Sequence, residues 1–106
     1  STFALEKERK VLSILTIKYL KSMYTVVYYF REREGQSVVE KEFHGGEMFR
    51  LRRNALHYVQ EIVESDYRDK GYATEALTGG IFCYRSEKTS NGERKISTIT
   101  IKVEKA

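Results

Sequence analysis

The chain has 106 residues, enough for one domain with a single modest core. Its 41% hydrophobic and 32% charged residues are an ordinary globular balance, and no apolar run approaches the ~18 residues of a membrane-spanning helix. A net charge of +4 admits nucleic acid as a partner without demanding it, and the one cysteine, Cys83, excludes an internal disulfide framework.

The N-terminus, Ser1-Thr2-Phe3 and then Glu6 to Lys10, lacks the basic start, apolar middle and cleavage site of a signal peptide. With the single cysteine, this leads us to expect a cytoplasmic, reducing location. There is no proline, so the seven glycines are the main breakers. Glu/Lys/Arg content favours a helix from Ala4 to about Lys10. Alternation from Val11 to Leu20 predicts a strand, with Lys21-Ser22 as a tight turn. Tyr24 to Arg33, β-branched and aromatic through Phe30, predicts a second strand. Glu34-Gly35-Gln36 turns it back, and Ser37 to Phe43 is its hairpin partner.

Apolar residues then recur at helical spacing: Met48, Leu51, Ala55, Val59 and Ile62, flanked by Leu56 and Val63. They predict one long helix over about 47–67. Glu47 near its start and Arg68 and Lys70 near its end suit the helix dipole, and Gly71 is a stop. Ile81 to Glu87 and Lys95 to Glu104 form a closing hairpin around the Asn91-Gly92 turn. Its second strand points Ile99, Ile101 and Val103 inward and Thr98, Thr100 and Lys102 outward. The expected fold is a single α+β domain over 1–106: an antiparallel sheet of about five strands with one long helix packed on one face.

No catalytic constellation is legible. Two histidines and one cysteine are too few soft ligands for zinc, so no metal is expected. His57 reads as a helix-surface residue and Cys83 as a small buried hydrophobe. Aromatic and basic side chains interleave on the predicted strands, a pattern suited to stacking bases and tracking phosphates. The candidate nucleic-acid contacts are Lys18, Lys21, Tyr28, Tyr29, Arg31 and Arg33, with Arg50 and Arg53 on the helix side. Glu32, Glu34, Glu40 and Glu42 stand close by and oppose phosphate binding.

Two family resemblances accompany these readings. Phe3-x-Leu5-x-Lys7-x-Arg9-x-Val11 resembles the opening of the positive-coactivator and Whirly group of single-strand-binding proteins. The strands at Tyr24 to Phe30 and Ser37 to Phe43, and the helix after Gly46, follow in the corresponding order. Over residues 3–67 this resemblance implies a sheet face that binds single-stranded nucleic acid. Val63 to Leu77 resembles the acyl-CoA motif of the GNAT acetyltransferase superfamily, where Arg/Gln-x-x-Gly-x-Gly/Ala joins a strand to a helix. Arg68, Gly71 and Ala73 hold those positions, and the resemblance implies that they cradle acetyl-CoA. The two part at residues 48–64, where periodicity predicts helix and the acyltransferase motif implies strand.

The leading expectation is a small non-enzymatic binding protein whose ligand is single-stranded DNA or RNA. The alternatives are an acetyl-CoA-dependent acyltransferase and a protein-binding or homodimerising module that uses an exposed strand edge. No membrane partner is expected.

Overall fold

A computed structural model describes residues 23–106. Five strands form one antiparallel sheet in the order β2-β1-β5-β4-β3, with a helix between β2 and β3 in the chain. β1 is Tyr24–Glu34, β2 Ser37–His44, β3 Ala73–Leu77, β4 Gly80–Lys88 and β5 Arg94–Lys105. The helix, α1, runs without a break through Arg52–Tyr58, Val59–Val63 and Glu64–Asp69. This is the expected α+β architecture. The expected helix and strand within residues 3–20, with Lys18 and Lys21, lie outside the described residues.

The sheet is long-range in its wiring. β5, last in the chain, is the central strand, hydrogen-bonded to β1 on one side and β4 on the other. Its apolar alternation explains that position. Ile99 and Ile101 join Val26, Ile81 and Cys83 from the sheet and Val59 and Val63 from the helix in one buried cluster. Thr98, Thr100 and Lys102 point the other way, as the alternation predicts. Cys83 is buried among these residues, and burial pushes its thiol up to about 11.

α1 starts later than its periodicity predicts. After Gly45-Gly46 the chain stays extended, and Phe49 pairs with Tyr24 through two backbone hydrogen bonds of 2.7 and 2.9 Å. Glu47, expected at the helix start, instead accepts the Tyr58 hydroxyl at 3.1 Å, while its carbonyl takes the Thr25 hydroxyl at 3.1 Å. Helical geometry begins only at Arg52, behind an extended Leu51 that supplies no side-chain cap.

The middle of α1 is also wider than an α-helix. The Glu64 N–H reaches back five residues to the Val59 carbonyl. Ala55, Val59 and Val63 therefore line the sheet at steps of four, and Ile62 turns outward, 53% exposed. Met48 and Leu51, the first two residues of the expected stripe, are exposed as well.

Gly71 ends the helix as expected. Its φ of +90° suits glycine, and the Tyr72 N–H bonds back to the Tyr67 carbonyl at 3.0 Å. The chain then reverses directly into β3, a strand the sequence reading lacked. The Thr74 hydroxyl donates to Glu64 at 3.0 Å and ties β3 to the helix it follows. β3 turns into β4 through Thr78-Gly79. At Gly80 a Cβ would lie 1.8 Å from the Ile101 carbonyl oxygen, so only glycine lets β4 approach β5 there.

Candidate binding surfaces

Strand alternation divides the expected site residues between the two faces of the sheet. On the helix face, Tyr28 lies opposite Ile101 and stacks on Phe30 with ring centroids 6.1 Å apart. It also meets Phe43 of β2 at 5.7 Å. Burial, then the neighbouring Tyr58 and Glu47, push its phenol up to about 12. Tyr29 points to the opposite face. These two candidate nucleic-acid contacts are therefore separated by the sheet itself, because neighbours on a strand point apart.

The face opposite the helix carries Tyr29, Arg31 and Arg33 from β1, Phe82 and Tyr84 from β4, and Thr98, Thr100 and Lys102 from β5. A shallow concavity of about 560 Å³ lies there, lined by Tyr29, Arg31, Glu40, Glu42, Phe82 and Thr100 among others. Its polar groups largely satisfy one another. The Tyr29 hydroxyl donates to both Glu104 oxygens at 3.0 and 3.1 Å, which pushes the phenol up to about 12. The Lys102 ammonium stands 5.6 Å from the Tyr29 ring centre. Arg31 faces Glu40 at 3.6 Å.

The other expected cations do not join this group. Arg33 lies at the tip of the β1–β2 hairpin, its Nε donating to the Gly35 carbonyl at 3.3 Å. Arg50 sits in the segment before α1 and Arg53 in its first turn, both exposed. Thr98, Thr100 and Lys102 are not among the expected contacts, because the register that aligns β4 and β5 beside β1 depends on long-range pairing. Their period-two alternation was the available signal.

Around the acyltransferase-like residues the order of elements is helix, turn, strand, whereas the resemblance implies strand, turn, helix. Arg68 lies in α1 and forms an ion pair with Glu64 one turn back, Gly71 closes the helix, and Ala73 opens β3. Among the described residues no group of three or more His, Cys, Asp or Glu side chains is arranged to hold a metal ion.

The second surface is the outer edge of β2. β2 is a margin of the sheet, and all eight of its residues are exposed. They include Val38 at 44%, Val39 at 48% and Phe43 at 57%. The Gly45 N–H bonds to the Val26 carbonyl at 2.9 Å and sets the phase of the β1–β2 ladder. Ser37, Val39, Lys41 and Phe43 thus turn their backbone groups toward β1. Val38, Glu40, Glu42 and His44 turn theirs to the outer edge.

Comparison with models of protein families, with curated proteins and with solved structures finds no match.

Proposed function

We propose that this chain is a non-enzymatic binding module whose ligand is another polypeptide, taken up as an added strand on β2. The observation that carries this reading is the edge itself. An eight-residue strand at the sheet margin is exposed at every position and directs four residues' backbone groups outward. Such a row of N–H and C=O groups is a template for one more strand. The opposite margin, β3, is only five residues long and packs beside the end of α1.

Selection of displayed octapeptides against the protein tests the reading, with Glu42→Pro as the counter-screen. Proline at 42 removes an outward N–H and no bond to β1. Selected peptides are expected to bind the parent protein and to lose at least about tenfold in affinity on Glu42→Pro, at unchanged melting temperature. Recovery of no binder, or of binders indifferent to Glu42→Pro, rejects strand addition at β2.

A single-stranded nucleic acid on the face opposite the helix is the second reading. It is favoured by three rings on that one face, Tyr29, Phe82 and Tyr84, with Lys102 over the first. The balance of charge there weighs against it, since Arg31 and Tyr29 already engage Glu40 and Glu104.

A further inference from the structure

Resting on the strand-addition reading, the chemistry of β2 specifies what kind of strand it takes. We propose that the partner is an extended segment with basic residues at two alternate positions, facing Glu40 and Glu42, and apolar residues flanking them on its other face.

Glu40 and Glu42 are the two central residues whose backbone groups point outward, so an added strand places a residue directly opposite each. Both side chains lie on the sheet face away from the helix. β1 already realises this pairing from the inner side, with Arg31 in register with Glu40 and 3.6 Å from it. The nearest cation candidate to Glu42 is His44, at 3.9 Å. A Lys or Arg across the outer edge therefore completes a cation-carboxylate-cation row at Glu40 and supplies Glu42 with a permanent positive charge.

The helix-side face of β2 reads differently. There Val39 and Phe43 flank Lys41, and Phe43 continues the aromatic row of Tyr28 and Phe30. An apolar side chain opposite each of Val39 and Phe43 extends that row by one strand. The partner pattern is apolar, basic, polar, basic, apolar.

The same charges argue against a second copy of this chain. Antiparallel pairing of two β2 strands about a two-fold axis keeps like face on like face. The central registers then set Glu40 on Glu40, or Lys41 on Lys41 with Glu40 on Glu42. Like charges directly opposite are destabilising, a common defence against self-association through a sheet edge. In its central registers the edge thus disfavours its own copy, and it accepts a strand of opposite charge pattern.

Three fluorescein-labelled octapeptides with identical apolar flanks test this by anisotropy. They carry Lys, Ser or Glu at the two alternate positions. The Lys peptide is expected to bind about three- to tenfold tighter than the Ser peptide, and the Glu peptide weakest. The order is expected to reverse on the double variant Glu40→Lys, Glu42→Lys, and to shrink at high salt. Equal binding of all three, lost on Glu42→Pro, overturns the charge pattern and leaves strand addition standing. Binding by none, or binding untouched by Glu42→Pro, overturns both.

Discussion

Tyr28 and Tyr29 are adjacent in sequence and alike in chemistry, yet their phenols are held neutral by different causes. Burial under the aromatic row dominates at Tyr28, and the hydrogen bond to Glu104 dominates at Tyr29. Each folded-state value, about 12, lies above the ordinary phenol value of 10.0. A group whose folded pKa is raised contributes stability that is fully present below its unfolded pKa and is lost as pH rises through the folded one. Stability is therefore expected to be intact up to about pH 10 and to fall between about pH 10 and 12. Chemical denaturation over that range checks the fall. Tyrosinate absorbance of Tyr28→Phe and Tyr29→Phe should each lack one late-titrating phenol. A pH-independent stability over the window would contradict the burial and hydrogen bonding described.

α1 is held by what it covers more than by how it starts. Its first turn contains Arg52 and Arg53 and no acidic residue, and Leu51 offers no oxygen to the first N–H groups. Both features oppose the positive N-terminal end of the dipole. Packing of Ala55, Val59 and Val63 on the sheet outweighs them. Leu51 is 45% exposed, so replacing it removes little core. Leu51→Asp is accordingly expected to stabilise the protein by about 1 kcal/mol, read as a raised urea midpoint at unchanged slope. A lowered midpoint would mean that Leu51 contributes more packing than capping recovers. At the other end of the helix, Gly71 stops α1 and reverses the direction of the chain into β3. The residues beyond it, Ala73 to Leu77, pair with β4 along their whole length.

At the scale of the molecule, charge separates the two binding readings. Of the net +4, most comes from residues 1–22, where Lys7, Arg9, Lys10, Lys18 and Lys21 outnumber Glu6 and Glu8. The described sheet and helix are close to neutral, and Arg31, Arg68, Arg85 and Lys95 stand in ion pairs with Glu40, Glu64, Glu87 and Glu32. A near-neutral surface offers little counterion release, which supplies most sequence-independent affinity for a phosphate backbone. If single strands nevertheless bind across the face opposite the helix, Tyr29→Ala should weaken a labelled oligonucleotide by about tenfold. Tyr28→Ala should act only through stability. Absent or salt-insensitive oligonucleotide binding ends that reading.

The period-two runs at Tyr24 to Phe30 and Ile99 to Val103, the turns at Gly35 and Asn91-Gly92, and the stop at Gly71 are local facts of covalent geometry. They were legible in the sequence, and with them the α+β class, the hairpins and the inward set of β5. Three things were decided only by tertiary contacts. Phe49 finds its backbone partners on Tyr24, so the helix begins later than its apolar period. Gly80, which reads in isolation as a helix breaker, is the residue that lets β4 approach β5. The faces on which Tyr28 and Tyr29 act, and the marginal place of β2, follow from the order β2-β1-β5-β4-β3. That order comes from the pairing of distant strands, and nothing in a local period records which neighbour a strand will find.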